Sequence, residues 1–193
     1  MIVWFHGNAG RACDRQKIAG ILEKTGYSYI LVEYTGYAEG NSDIEPDIES
    51  ILDNVSDISD YVKDEGYEKV ISAGRSIGTG PASLLAGKVN SDKLFLFSPY
   101  GELYKVAEDK YPIFPIKYLF TQKYNSVEYL KGYKGEVLII HGDNDRVIPN
   151  KFGKKLFDSL ITDNKEFIDI EGGNHNNELY IKGVEEKIIK FLE

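Results

Sequence analysis

Short apolar segments alternate with amphipathic segments along almost the whole chain, and this alternation restricts the fold more than any other feature. Each apolar segment is rich in β-branched or aromatic side chains, which is typical of buried strands. Strands that are separated by helices pair in parallel, because the helix carries the chain back across the sheet. We therefore predict an α/β fold with a mainly parallel sheet of about six strands and helices on both faces. The predicted strands are 2–5, 29–34, 69–73, 93–99, 136–140 and 166–170.

Two further segments define the predicted organisation. In 47–63 the apolar residues, such as Ile51 and Val55, recur at spacings of three and four, which predicts a helix with one apolar face. Residues 100–134 are rich in Tyr, Phe, Lys and Pro and have no long amphipathic repeat. They predict a small lid-like insertion in a single domain that spans 1–193. Simple packing of this insertion over the sheet is an equally good interpretation.

Charge and composition exclude several classes of protein. The chain has 193 residues and a net charge of −8, with both signs mixed along it, which disfavours nucleic-acid binding through phosphates. Its single cysteine, Cys13, cannot form an internal disulfide or a thiolate metal cluster. No apolar run approaches the roughly 18 residues of a membrane span, and the first residues do not resemble a signal peptide. We expect a cytoplasmic protein without stable membrane insertion, metal or organic cofactor.

The segment Gly74-Arg75-Ser76-Ile77-Gly78 joins a predicted strand to a predicted helix. A Gly-x-Ser-x-Gly turn in this context lifts the serine hydroxyl out of the backbone at the top of a sheet. The two glycines are required because the strand and the helix nearly touch there. Ser76 is therefore a candidate nucleophile. The alternative is an ordinary serine in a glycine-rich loop.

Two later loops carry the residues that would activate such a serine. Attack by a hydroxyl needs a base beside it and a carboxylate that holds the base in the right tautomer. Asp145 follows the fifth predicted strand, and His175 lies in the Gly- and Asn-rich loop after the sixth. Loops at the carboxyl ends of parallel strands share one edge of the sheet, so these side chains can meet Ser76. Asp143 competes with Asp145 as the carboxylate, and a solvent-exposed loop histidine is the alternative for His175.

Four motifs in this order resemble those of the α/β-hydrolase superfamily. They are His6-Gly7-Asn8-Ala9-Gly10, Gly74-Arg75-Ser76-Ile77-Gly78, His141-Gly142-Asp143-Asn144-Asp145 and Gly173-Asn174-His175-Asn176. Within the superfamily the chain is most similar to the small serine hydrolases that include the ABHD-type depalmitoylases. The resemblance implies a three-layer α/β-hydrolase fold in a minimal form.

The resemblance also implies roles for individual residues. Ser76 would be the nucleophile, His175 the general base and then acid, and Asp145 the orienting carboxylate. The backbone N–H groups of Asn8 and Ile77 would form the oxyanion hole. His6 and His141 each precede a glycine at a strand end, where hydrogen bonding to local backbone is the favoured role.

These assignments predict a serine esterase or thioesterase that forms an acyl-enzyme on a small or medium acyl substrate. Tyr100 and Phe114 in the insertion are candidate contacts for the acyl group. A serine peptidase of the same fold and a non-catalytic binding protein on a hydrolase scaffold are the alternatives. Members of the superfamily usually have antiparallel strands before the His-Gly loop. Without them the segment 28–34 would be a sheet edge, and an apolar edge can pair with another chain, so we expect this edge to be covered either by a second copy, in a homodimer, or by loops.

Overall fold

The computed structural model describes residues 1–8, 11–37, 47–119 and 124–193. Its described strands form one sheet in the order β2-β1-β3-β4-β5-β6, and every neighbouring pair is parallel. The predicted parallel α/β sheet is thus confirmed. The strands are β1 (Ile2–Phe5), β2 (Tyr29–Val32), β3 (Ile71–Arg75), β4 (Lys93–Phe97), β5 (Glu136–Gly142) and β6 (Lys165–Ile170).

Helices cover both faces of this sheet, as the predicted three-layer arrangement requires. They are α1 (Gln16–Glu23), α2 (Ile48–Asp64), α3 (Thr79–Val89), α4 (Leu103–Lys110), α5 (Ile116–Leu119), α6 (Ser126–Tyr129), α7 (Asn150–Ser159) and α8 (Val184–Leu192). One core contains apolar residues of α2, α3 and α7, and the other contains those of α1 and α8. Within β1, Phe5 belongs to the first core and Trp4 to the second, because successive strand side chains point to opposite faces.

The predicted ends of the 47–63 helix and of every strand except β1 differ from the observed ends by one or two residues, and two of these differences have a clear local cause. The helix predicted over 47–63 begins one residue later, since Asp47 is its N-cap and its carboxylate accepts a hydrogen bond from the Ser50 N–H at 2.8 Å. The strand predicted over 29–34 ends at Val32, where its partner β1 also ends in register at Phe5. Tyr34 instead turns inward and donates its hydroxyl proton to the carbonyl oxygen of His6 at 2.7 Å.

Strand β2 lies at one edge of the sheet, as expected from the sequence. In the described part of the chain it pairs with β1 alone. The described helices of the 100–134 insertion, α4 to α6, lie between β4 and β5 in the chain. Of these, α6 approaches α3 so closely that a side chain at Gly87 would meet the backbone carbonyl of Tyr129. Nowhere in the described segments is there a helix long and apolar enough to cross a bilayer.

Candidate active site

The strand order creates a crevice where β1 and β3 lie side by side. From β1 the chain leaves to one side to form β2, and it returns on the other side of β1 to form β3. The connections at the carboxyl ends of β1 and β3 therefore diverge, and ligands of open α/β sheets bind at such switch points. His6, Gly7 and Asn8 follow β1 at this crevice, and Ser76 follows β3.

The turn at Ser76 has the strained geometry of a nucleophile elbow. Ser76 has φ of 54°, in the left-handed region that non-glycine residues seldom adopt, and it begins a short 3-10 helix that runs into α3. A Cβ atom at Gly74 would lie 2.7 Å from the carbonyl carbon of Gly78, and one at Gly78 would lie 2.7 Å from that of Phe5. Both glycines are therefore needed for the close approach of β1, β3 and α3 around the serine.

A continuous chain of hydrogen bonds joins Ser76 to two side chains from later loops. His175 Nε2 lies 2.9 Å from Ser76 Oγ, and His175 Nδ1 lies 2.7 Å from Asp145 Oδ2. Because the carboxylate can only accept, Nδ1 carries the proton and Nε2 is free to accept the serine proton. The structure thus brings together the three predicted residues. Asp143, the competing carboxylate, is exposed, and the hydrogen bond to His175 Nδ1 is made by Asp145.

Asp145 is buried and held as a carboxylate by several donors. Its Oδ1 accepts hydrogen bonds from the N–H groups of Val147 and Ile148 at 2.8 and 2.9 Å. Burial alone would raise the pKa of Asp145, but the hydrogen bonds from His141 and His175 outweigh it and hold the pKa below its ordinary value. The aspartate is therefore ionised when His175 takes up a proton.

His6 and His141 form hydrogen bonds with nearby backbone, which is the role that the sequence favoured for them. His6 Nδ1 donates to the carbonyl oxygen of Gly7 at 2.7 Å, and its ring stacks on Tyr34 with centroids 4.2 Å apart. His141 Nε2 donates to the carbonyl oxygen of Ile148 at 2.8 Å. Both side chains are almost completely buried, so they stabilise the two loops.

The predicted oxyanion-hole residues lie beside the serine. Gly7, Asn8, Ser76, Val147 and His175 line a cleft of about 220 Å³, which we call the serine cleft. Asn8 is held there by its side chain, whose Oδ1 accepts the Tyr37 hydroxyl proton at 2.6 Å. Ile77 follows Ser76 in the short 3-10 helix that precedes α3. Ala9 and Gly10, which complete the first motif, lie outside the described residues.

The two candidate acyl contacts lie elsewhere. Tyr100 is fully buried below the turn, where its hydroxyl donates to the carbonyl oxygen of Ile77 at 3.2 Å and its hydroxyl oxygen lies close to Gly80. Phe114 is 59% exposed on the insertion. Neither lines the serine cleft in the described part of the chain, so Tyr100 supports the turn from beneath and a substrate contact by Phe114 stays a prediction.

Sequence reasoning missed two residues that position the histidine and its loop. Arg75 donates a hydrogen bond from Nη2 to the carbonyl oxygen of His175. Glu178 is buried, and its Oε1 accepts hydrogen bonds from the Gly142 N–H at 2.7 Å and from the Ser98 hydroxyl at 2.9 Å. Burial raises the pKa of Glu178, and these two hydrogen bonds only partly oppose the shift. Arg75 stands inside the serine motif and could have been found there, whereas nothing in the sequence separates Glu178 from the surface acids.

Solved structures of low sequence identity share this architecture almost end to end. The esterase Pf2001 of Pyrococcus furiosus superposes with a TM-score of 0.77 at 15% identity, over 99% of this chain and 80% of that one. Est1E of Butyrivibrio proteoclasticus, with ferulic acid bound, gives a TM-score of 0.75 at 18% identity, over 99% and 88% of the two chains. At such identities the likeness establishes the fold.

Proteins of similar sequence indicate the same superfamily as the fold does. A protein of Acanthamoeba polyphaga mimivirus that is named as an α/β hydrolase is 30% identical over 184 residues, which are 91% of this chain and 66% of that protein. The chain belongs to the α/β-hydrolase superfamily. The resemblance predicted from the four motifs is confirmed at this level. No family model matches the chain.

Other proteins of similar sequence include an uncharacterized bacterial protein and a vertebrate lipase. An uncharacterized protein of Mycobacterium tuberculosis is 26% identical over 181 residues, which are 92% of this chain and 63% of that protein. Lysophosphatidylserine lipase ABHD12 of Danio rerio is 27% identical over 179 residues, which are 82% of this chain and 46% of the lipase. The chain therefore spans roughly half to two thirds of the length of these relatives. A further similar protein is ABHD12B of Homo sapiens.

Proposed function

We propose that this α/β hydrolase cleaves carboxylic esters or thioesters through an acyl-enzyme on Ser76. The observation that carries the proposal is the unbroken chain of hydrogen bonds from Asp145 through His175 to Ser76 Oγ. Each link lies within 3 Å, the side chains come from three separate loops, and the serine is held in a strained turn. A protein that only bound ligands on this scaffold would not need that alignment, which favours the catalytic interpretation over the binding one.

The geometry supports a two-step reaction. Ser76 Oγ attacks the acyl carbon while its proton passes to His175 Nε2, and the carbonyl oxygen becomes an oxyanion. The bond to the alcohol or thiol then breaks, and His175 returns the proton to that leaving group, which leaves the acyl group on Ser76. In the second step His175 takes a proton from water, whose oxygen attacks the acyl carbon and releases the acid, and the proton returns to Ser76 Oγ.

The surroundings of the triad supply the charge stabilisation that these steps need. Asp145 stays ionised beside the imidazolium that forms in each step, because its pKa is held low. The N–H groups of Asn8 and Ile77 would bind the oxyanion, and the loss of one such donor typically lowers turnover by roughly 10²–10³-fold. Ser76 Oγ opens onto the serine cleft, whose modest volume of about 220 Å³ suits a small or medium acyl group.

The names of similar proteins support an ester rather than a peptide substrate. ABHD12 is named as a lysophosphatidylserine lipase, and structures that share the fold are named as esterases or, in Paleococcus ferrophilus, as a monoacylglycerol lipase with a TM-score of 0.72. Lysophosphatidylserine and monoacylglycerol, the lipids in two of these names, are carboxylic esters. A serine peptidase of the same fold remains the competing activity, and the choice between ester, thioester and amide substrates is tested directly below.

The decisive experiment combines covalent labelling with four matched proteins. A fluorophosphonate probe should label the wild type and leave Ser76→Ala unlabelled. Asp145→Asn should lower kcat for a p-nitrophenyl ester by about 10⁴-fold, because the wrong imidazole tautomer then faces the serine. Asp143→Asn, a change of the same chemistry two residues away at an exposed position, should leave kcat within about threefold of wild type.

Two outcomes would refute the proposal. One is a folded wild type that the probe does not label, and the other is equal labelling after Ser76→Ala. Equal effects of Asp143→Asn and Asp145→Asn would refute the assignment of the carboxylate. A panel of acyl esters, acyl thioesters and aminopeptide p-nitroanilides of matched size would then identify the bond that is cleaved, and we expect turnover of the first two.

A further inference from the structure

A second cavity adjoins the serine cleft and is built differently. It has a volume of about 350 Å³ and extends between the start of α1 and the loop after His175, with Trp4, Leu179 and Tyr180 in its wall. Arg15, at the start of α1, and Arg75, next to the nucleophile, line both this cavity and the serine cleft. We call it the arginine pocket. A group bound in it would therefore lie directly beside a substrate at Ser76.

The wall of the arginine pocket contains hydrogen-bond donors without acceptors. They are Nε and Nη2 of Arg15, Nε of Arg75 and Nε1 of Trp4, all buried nitrogen atoms that have no partner among the described residues. Guanidinium and indole N–H groups can only donate. A buried donor without an acceptor typically costs about 1–3 kcal/mol, so four such donors in residues that line one cavity favour a ligand that supplies oxygen atoms.

The charges around the pocket favour an anion as that ligand. Neither Arg15 nor Arg75 forms an ion pair within the described residues. Asp14 also lines the pocket, but its Oδ2 accepts from the Arg11 N–H at 2.8 Å and lies 3.6 Å from Arg11 Nε. Lys17, a further cation in the wall, is bound to Glu185. Glu178 and Asp145 act on Arg75 through electrostatic attraction, but neither forms an ion pair with it among the described residues. Two partly desolvated guanidinium groups in the wall of one cavity attract carboxylate or phosphate far more than a neutral group.

We propose that the arginine pocket binds an anionic group, a carboxylate or a phosphate, that the ester substrate itself carries while its acyl carbon lies at Ser76. This inference rests on the proposed function, because the pocket opens beside the reactive serine. The anion can belong to the acyl side, as in a half-ester of a dicarboxylic acid, or to the alcohol side, as in an ester of a phosphorylated alcohol. In both cases Arg15 and Arg75 select substrates by charge.

Arg15 is the residue to change, because Arg75 also holds the backbone of His175. Arg15 makes no side-chain capping hydrogen bond at the start of α1, so its substitution leaves that helix end intact. Arg15→Met keeps much of the side-chain length and removes the charge, whereas Arg15→Lys keeps the charge and removes the planar fork. Lys24→Met is the matched control: it removes a cation just beyond the other end of α1 and outside the pocket.

The experiment measures kcat/KM for two pairs of esters. The first pair is p-nitrophenyl hydrogen glutarate and its neutral methyl ester, and the second is butyrylglycerol phosphate and uncharged monobutyrin. We expect the wild type to prefer the anionic member of one pair by about 10- to 100-fold, the range for hydrogen bonds to a charged group. The pair that shows the preference identifies the side that carries the anion. Arg15→Met should abolish the preference, because it lowers kcat/KM for the anionic ester much more than for the neutral one. Arg15→Lys should keep part of the preference, and Lys24→Met should keep all of it.

Failure of this inference is distinguishable from failure of the proposed function. If the wild type hydrolyses the neutral esters but shows no preference in either pair, or if Arg15→Met slows both members of a pair equally, the arginine pocket does not select anions. If no ester is hydrolysed and Ser76 is not labelled, the proposed function is wrong. In that case anion binding to the pocket is tested by thermal unfolding with added inorganic phosphate. Phosphate should raise the Tm of the wild type and of Lys24→Met in a concentration-dependent way, but not that of Arg15→Met. Equal shifts in all three proteins would overturn the inference.

Discussion

Replacement of Gly78 by alanine should damage both stability and activity, and the size of the effect follows from the structure. The new Cβ would lie 2.7 Å from the carbonyl carbon of Phe5 and closer still to its oxygen. Carbon atoms pack at about 3.5–4.0 Å, so the backbones must separate by about 1 Å. Phe5 cannot swing away, because β1 is hydrogen-bonded to β2 on one side and to β3 on the other. The first turn after Ser76 must move instead.

That displacement can be converted into expected measurements. Overpacking of a well-packed site typically costs about 1–3 kcal/mol, so the free energy of unfolding of Gly78→Ala in urea should fall by about that amount. A shift of about 1 Å between the nucleophile and its base typically costs about 10²-fold in rate. We therefore expect kcat/KM for a p-nitrophenyl ester to fall by about 10²-fold, and fluorophosphonate labelling of Ser76 to slow in parallel.

A second glycine provides the matched control. A Cβ at Gly20, within α1, would have no atom within 4 Å other than its own helix and neighbours. Gly20→Ala should therefore stabilise the protein by about 0.5–1 kcal/mol, the usual gain for this exchange inside a helix, and leave kcat/KM unchanged. A Gly78→Ala protein with a free energy of unfolding within about 0.5 kcal/mol of wild type and full esterase activity would refute the reasoning, since the close approach would then not constrain the turn.

Two further predictions concern a buried carboxyl group and the edge of the sheet. Burial raises the pKa of Glu178 above 4.5, so its favourable contribution to stability is complete below about pH 4.5 and declines as the pH rises through the folded-state pKa. The free energy of unfolding in urea should be measured for wild type and Glu178→Gln at pH 4 and at pH 8. The variant should be more stable relative to wild type at pH 8 than at pH 4, and an equal difference at the two pH values would contradict this prediction. Strand β2, Tyr29–Val32, has no partner other than β1 among the described residues, and its other edge should pair with a second copy, so sedimentation at micromolar concentration should show a dimer. A strictly monomeric protein would count against that pairing.

The amino-acid sequence by itself determined the architecture and the order of the reactive residues. Hydrophobic periodicity is a local property, so the spacing in 47–63 specified α2 to within one residue, and the short apolar runs specified six strands. The parallel connection of those strands then required that Ser76, Asp145 and His175 lie at one edge of the sheet. The glycines on either side of Ser76 are equally local signals, because only a turn with backbone contact needs them.

The tertiary structure alone decided which side chains meet. Asp143 and Asp145 are indistinguishable by spacing, and only the course of the loop after β5 buries one against His175 and leaves the other in solvent. The end of β2 depends on where its partner β1 ends, and the burial of Tyr100 depends on the close packing around α3. The arginine pocket shows the same dependence most clearly. Arg15 and Arg75 lie on different elements, and their convergence follows from strand order, a long-range property that no local pattern encodes.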